Sequence, residues 1–572
     1  MASYMPSANA AFAIAGLACV GYVLYRLALP RPIPGIPYRK GATDRLLGDL
    51  PDLIRHITKD GEVLNWWADA TVELNSPIIQ LFVRPFQKPF VVLTDYRESQ
   101  DIMVRRTKEF DRSNVTGDSF VGVMPNHHIS MRTNDAFKAQ KRLIADLMSP
   151  TFLNEVAGPQ IWAAATDVVE LWNIKAKLAQ GHPFEAPGDI HRTALEAIWA
   201  ATFGSEIGVT KSQIEFLTSL SGVDVPTDTD EPAEIPKAPT PPEFDAMIAL
   251  TNSMEKSITS PFPLLYHWFV RQTKGYKNAA AHKDQYIRQK LQDAWDRFSK
   301  TQESSDRSGV DNMLRREIIA ANKEGREPEI DTPTVKDEVF GLLLAGHETT
   351  STTLTWGLKF LTAHQPVQRK LRELLRANLT SAAGTRTNPT PKDIATANIP
   401  YLDAVVEEIL RCSMTVTAVM RKALVDTEVL GYKIPKGTDV GFLSNGPGYV
   451  MPYLPVDEMK RSATSQGTKE KIGNWAAKDV GTFDPERWVK RGEKGNLEFD
   501  PKAGPNMPFG VESVDASVGK KMAYLELRVF LVLIVWNFVL LETPEKLSDW
   551  KAMDKITHHP RQCYIRIKPV EW

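Results

Sequence analysis

The stretch from Thr334 to Ala363 is long, apolar and spaced for a helix, and it constrains the fold more than any other segment. A helix that is apolar over most of its surface belongs inside a large helical body. Thr332-Pro333 supplies its start, with proline in the first turn. Its middle reads Ala345-Gly346-His347-Glu348-Thr349-Thr350. Glycine inside a helix costs ~1 kcal/mol relative to alanine, and threonine competes with the backbone for hydrogen bonds. Two readings stand for this stretch: a groove where a ligand approaches the helix, or a threonine-rich surface turn.

Other segments agree with a mostly helical domain. Helical apolar spacing covers 136–147, 160–178, 189–203, 244–300 and 520–541. Segments 78–83 and 88–94 read as paired strands, and 426–440 as a hairpin around Gly431-Tyr432. Val225 to Pro242 is rich in proline and acids and reads as a loop, as does 444–483. The chain has 572 residues and a formal net charge of -1, with no basic stripe of the kind that binds nucleic acid. Three widely spaced cysteines, Cys19, Cys412 and Cys563, form neither a disulfide framework nor a zinc site.

The N-terminus carries a second expectation. Met1 to Tyr25 is uncharged, Ala10 to Tyr25 is almost continuously apolar or small, and Arg26, Arg31, Arg39 and Lys40 follow. That order predicts an anchor with the remaining chain on the cytosolic side. The proline-rich segment 30–40 reads as a stiff hinge. The expected organisation is an anchor at 1–29, a hinge at 30–40 and one domain at 41–572, held by a single pass in the endoplasmic reticulum membrane.

Further motifs follow the long helix. Glu408 and Arg411 lie three apart on one helical face and can pair. Arg421 comes next, then Phe483-Asp484-Pro485-Glu486-Arg487-Trp488, whose arginine can join that pair. Phe509-Gly510 and Gly519-Lys520-Lys521-Met522-Ala523 close the series. In this order the set resembles the cytochrome P450 family, in particular its fungal members that tailor natural products. The resemblance implies a mostly α fold with small β-sheets, b-type haem, and electrons from NADPH through a membrane reductase. It implies monooxygenation of a lipophilic, terpenoid- or polyketide-like intermediate. Glu348 and Thr349 would relay protons. Glu408, Arg411 and Arg487 would brace the proximal side, and Arg421 would meet a propionate. The helix that offers a second propionate contact reads Phe137-Lys138-Ala139-Gln140-Lys141, so Lys141 or Arg142 would serve there.

One segment departs from the pattern. The family loop reads F-x-x-G-x-R-x-C-x-G. Anchored on Gly519, the position of the iron ligand is Ser517, the nearby arginine is Asp515, and the segment from Phe509 and Gly510 is one residue longer. A serine hydroxyl is not a soft anionic ligand. Back-translated and read two bases along, Val511 to Val518 can encode Gly-Val-Gly-Arg-Arg-x-Cys, which placed after Phe509 restores the pattern. The competing readings are a non-redox or inactive member, acting as a cyclase or binding partner, and a membrane-tethered scaffold.

Overall fold

The computed structural model describes residues 8–301, 307–469, 475, 479–493, 495–510 and 519–572. They form two compact units. One comprises 1–111, 418–448 and 453–468, the other 112–417, 449–452 and 469–572.

The first unit is built on a sheet. Ile78–Leu81 runs antiparallel to Phe90–Leu93, with Ile78 opposite Leu93. Phe90–Leu93 runs parallel to Asp439–Leu443, which pairs antiparallel with Ala418–Ala423. All residues of the first two strands are buried, so both read as continuous apolar runs rather than alternating ones. The expected hairpin is smaller and turns one residue earlier than its sequence suggests. Thr427–Val429 pairs with Tyr432–Ile434 across Leu430 and Gly431, both at positive φ (50° and 79°). Two positive φ values in a two-residue turn match the right-handed twist of the flanking strands. Val440 belongs to the larger sheet instead.

The first unit also carries the helix Ala8–Ala28. Here the structure corrects the expected anchor: among the described residues, no helix is long and apolar enough to cross a membrane. Asn9 stands in the first turn and Arg26 in the last. The apolar part between them, Ala10 to Tyr25, spans about 24 Å at ~1.5 Å per residue, against ~30 Å for a bilayer core. Alanine, the commonest residue in it, and two glycines add little apolar surface. The transmembrane helix, the membrane assignment and the single-pass endoplasmic reticulum topology fall with that expectation.

The second unit is helical around Pro333–Ala363. The Thr332 hydroxyl accepts from the Val335 N–H (3.1 Å) and fixes the start of this central helix. Helix Pro187–Phe203 lies against it at Gly346, where an added Cβ would stand 2.6 Å from Ile198 Cγ1. Glycine at 346 therefore permits helix–helix approach, a packing reason that neither sequence reading named. Helix Gly158–Ala179 joins this layer through a buried ion pair: Lys175 Nζ lies 2.6 Å from Asp189 Oδ2, and Trp172 Nε1 donates to the same oxygen (3.1 Å).

The C-terminal part completes the core. Lys520–Asn537 is a buried helix that hands over at Phe538 to a strand, Phe538–Leu541, so the expected helical run to 541 ends early. That strand pairs with Tyr564–Pro569. A two-stranded hairpin, Ala552–Asp554 with His558–Pro560, lies beside the central helix, where Trp356 Nε1 donates to the His558 carbonyl (2.7 Å).

Candidate active site

The central helix is buried over most of its length, but Ala345 is exposed and Gly346 and Thr349 are half-exposed. Ala345 and Thr349 are four apart and share one face. The Thr349 hydroxyl donates to the Ala345 carbonyl (2.8 Å). This face puts small side chains and one hydroxyl against open space.

Glu348 points elsewhere. It is 2% exposed and surrounded by imidazoles. His191 Nε2 lies 3.0 Å and His347 Nε2 3.2 Å from Oε1, while His559 Nε2 lies 3.5 Å from Oε2. Burial opposes the charge of Glu348, yet the hydrogen bond with His191 and the adjacent His347 and His559 rings outweigh it and hold the carboxyl well below its ordinary range. His347 is fully buried. His191 arrives from helix Pro187–Phe203 and His559 from the C-terminal hairpin. No local pattern could have paired either with Glu348, since they lie 157 and 211 residues away in sequence.

A second cluster is assembled on helix Pro400–Ser413. Arg411 donates twice to Glu408, Nε to Oε2 (2.8 Å) and Nη2 to Oε1 (2.7 Å). Arg487 Nε donates to Oε1 (3.0 Å), and Trp488 Nε1 to Oε2 (2.8 Å). The Asp484 N–H adds a further bond to Oε1 (2.8 Å). Arg411 also donates to the carbonyls of Tyr449, Val480 and Thr482. Burial raises the cost of ionising Glu408, but the guanidinium partners prevail and its pKa falls. The sequence shows the three charged members; Trp488 stands in the same motif and was not singled out.

The other sequence-selected residues are scattered. Lys141 and Arg142 lie on helix Asp135–Leu143, with the Lys141 ammonium 5.5 Å from the centre of the Phe137 ring and Arg142 exposed. Arg421 is buried in the sheet of the first unit and donates to the Met420 carbonyl (3.1 Å). Phe509 packs against Tyr524, with ring centroids 5.3 Å apart. Gly510 has a φ of 73° and Gly519 immediately precedes the last helix. Ser517 and Asp515 lie outside the described residues.

Comparison with known proteins defines the class. The chain is similar to the haem domain of cytochrome P450DA, with a TM-score of 0.66 at 17% identity over 95% of this chain and 99% of that one, which establishes the fold. The cytochrome P450 family model matches residues 74–447. A cytochrome P450 monooxygenase of Pestalotiopsis microspora is 40% identical, covering 95% of this chain and 96% of its own. A second, from Fusarium sporotrichioides, is 36% identical, covering 96% and 97%. A third, from Penicillium crustosum, is 34% identical, covering 96% and 94%. The chain belongs to the cytochrome P450 family. It is a P450 monooxygenase of fungal secondary-metabolite biosynthesis, and the family function is haem-dependent oxidation.

The cysteines do not supply the thiolate this function needs. Cys412 and Cys563 are both buried. Burial pushes the Cys563 thiol up to about 12 and the Cys412 thiol higher still. Cys563 donates to the Thr355 carbonyl (3.5 Å). Cys19 stands on the exposed N-terminal helix. The sequence contains no cysteine between 412 and 563. The donor set therefore does not fit a thiolate-ligated haem.

Proposed function

We propose that this monooxygenase acts on a lipophilic secondary-metabolite intermediate of terpenoid or polyketide type, and that its oxidation requires a cysteine in the place of Ser517. The first part rests on the open face of the central helix, where Ala345 and Thr349 offer small, weakly polar surface. An apolar substrate is held there by contact area rather than by charge. Domain 41–572 carries this face, with electrons delivered from NADPH by a reductase partner.

Each chain residue has a role in this reading. Thr349 holds a hydroxyl proton at the open face. Glu348, one residue away, supplies a buried carboxylate for proton exchange. Glu408, Arg411, Arg487 and Trp488 fix the proximal wall through bonds that converge on one carboxylate. Arg421, Lys141 and Arg142 would be the cations available to haem propionates, and Phe509, Gly510 and Gly519 would flank the ligand loop. Haem, when bound through a thiolate, supplies oxygen activation. No oxidative step is derived for the chain carrying Ser517, because a neutral hydroxyl cannot replace that anion.

A second reading, a non-redox or inactive member of the fold, is favoured by one specific observation: the cysteine-free segment between Phe509 and Gly519. Transcript sequencing across 509–519, together with the absorbance of the purified protein, separates the two. A message encoding the cysteine, and a protein with a thiolate-type haem spectrum that converts a lipophilic substrate, supports monooxygenation. A message encoding Ser517 and a protein without porphyrin supports the second reading.

A further inference from the structure

The imidazoles around Glu348 pose a hydrogen-bonding problem. His347 Nδ1 lies 2.8 Å from the Leu343 carbonyl, an acceptor only, so Nδ1 carries the proton and donates. In the neutral ring Nε2 is then a bare lone pair. It lies 3.2 Å from Glu348 Oε1, itself a lone-pair donor, and makes no hydrogen bond. Glu348 Oε2, which faces His559, likewise has no hydrogen-bond partner among the described residues. Both residues are buried almost completely. A bare imidazole lone pair facing a carboxylate oxygen in a dry interior needs a cation or a shared proton between them.

We propose that His191, His347 and Glu348 form a binding site for a divalent transition-metal ion of the zinc class, separate from any haem iron. The three ligand atoms lie within 4.8 Å of one another, and the two imidazole nitrogens are 3.0 and 3.2 Å from the shared carboxylate oxygen. Tetrahedral zinc with bonds of ~2.0–2.1 Å spaces neighbouring ligand atoms about 3.3 Å apart. Two histidines and a carboxylate are a borderline-soft donor set that suits zinc, nickel or copper better than calcium or magnesium. His347 donates its other ring N–H to a backbone carbonyl, the outer contact that metal-bound histidines use to fix their tautomer. His559 and Glu255 stand at the other carboxylate oxygen and complete a second edge of the cluster.

The nearby group His127, His128 and Glu338 differs. There His128 Nδ1 lies 2.7 Å from Glu338 Oε2, the His128 N–H donates to Oε1 (2.8 Å), and His127 Nδ1 accepts from the Ile129 N–H (3.1 Å). Its carboxylate is already satisfied, so it serves as a comparison.

The test uses the full chain, purified without a histidine tag, stripped with chelator and dialysed against zinc chloride. Mass spectrometry of the metal should give one zinc per chain. Substituting cobalt should give ligand-field bands of a histidine–carboxylate site. His191→Ala, at the half-buried rim, should weaken zinc binding at least tenfold and abolish the cobalt bands while keeping the native circular dichroism melt. His128→Ala should leave zinc affinity unchanged. A wild-type chain that retains no zinc overturns the site and leaves a shared proton between the rings and Glu348. Zinc lost from His128→Ala but kept by a folded His191→Ala also overturns it.

Discussion

Arg411 and Glu408 form a two-point pair, 2.7 and 2.8 Å, with both side chains at 1% exposure or less. Every lone pair of the carboxylate is engaged by Arg411, Arg487, Trp488 or the Asp484 N–H. A buried pair of this kind contributes little net stability over an apolar replacement, but removing one partner strands the other. Glu408→Ala should therefore destabilise the chain by about 3–5 kcal/mol, as read from denaturant unfolding. Glu408→Gln, which keeps the shape and loses the charge, should fall between it and the wild type.

Gly346 lies close against Ile198 of the neighbouring helix, where an added Cβ would stand 2.6 Å from Ile198 Cγ1. Gly346→Ala gains ~1 kcal/mol of helix propensity but overpacks the contact at a cost of about 1–3 kcal/mol. The net result should be a loss of stability. Combining it with Ile198→Ala, which removes the clashing atoms, should cost less than the sum of the single changes. A double-mutant cycle checks this coupling.

Glu526 sits fully buried on the last helix, with Oε1 unpartnered among the described residues. Burial pushes its pKa up to about 8, against a hydrogen bond from Thr350 that lowers it. The folded value thus lies above the unfolded one of 4.5. The unfolded chain releases this proton first, so the stability tied to it is complete below about 4.5 and is lost as pH rises to about 8. Glu526→Gln should flatten that decline, and thermal melts across the window should show the gap between variant and wild type widening with pH.

Among the described residues, Thr349 makes one side-chain bond, to the Ala345 carbonyl of its own helix. In a chain whose 511–518 segment carries the cysteine, Thr349→Ala should leave the melt within about 0.5 kcal/mol and lower product formation roughly 10²-fold. Product yield and unfolding measured on the same preparation check both halves.

Much of this architecture was legible in the sequence because it is local. The start of the central helix at Thr332-Pro333, the strands 78–81 and 90–93, and the Glu408–Arg411 spacing all follow from periodicity and capping. What stayed hidden is tertiary. His191, His559 and Glu255 meet Glu348 only because three separate elements converge on the central helix. Gly346 read as a ligand groove or a surface turn, yet its reason is Ile198 on another helix. The N-terminal run was misread for a different cause. Many of its residues are alanine or glycine, and Asn9 and Arg26 shorten it, so lack of charge overstated its reach.

The absorbance of the reduced, carbon monoxide-treated protein tests the central claim most directly, since the Soret position reports whether a thiolate holds the iron. The chain with Ser517 should show no thiolate-type band, and the same chain with 510–517 replaced by Gly-Val-Gly-Arg-Arg-Leu-Cys, which places the heptapeptide directly after Phe509 and keeps Val518 before Gly519, should show it. A thiolate-type band from the chain carrying Ser517 would contradict the account.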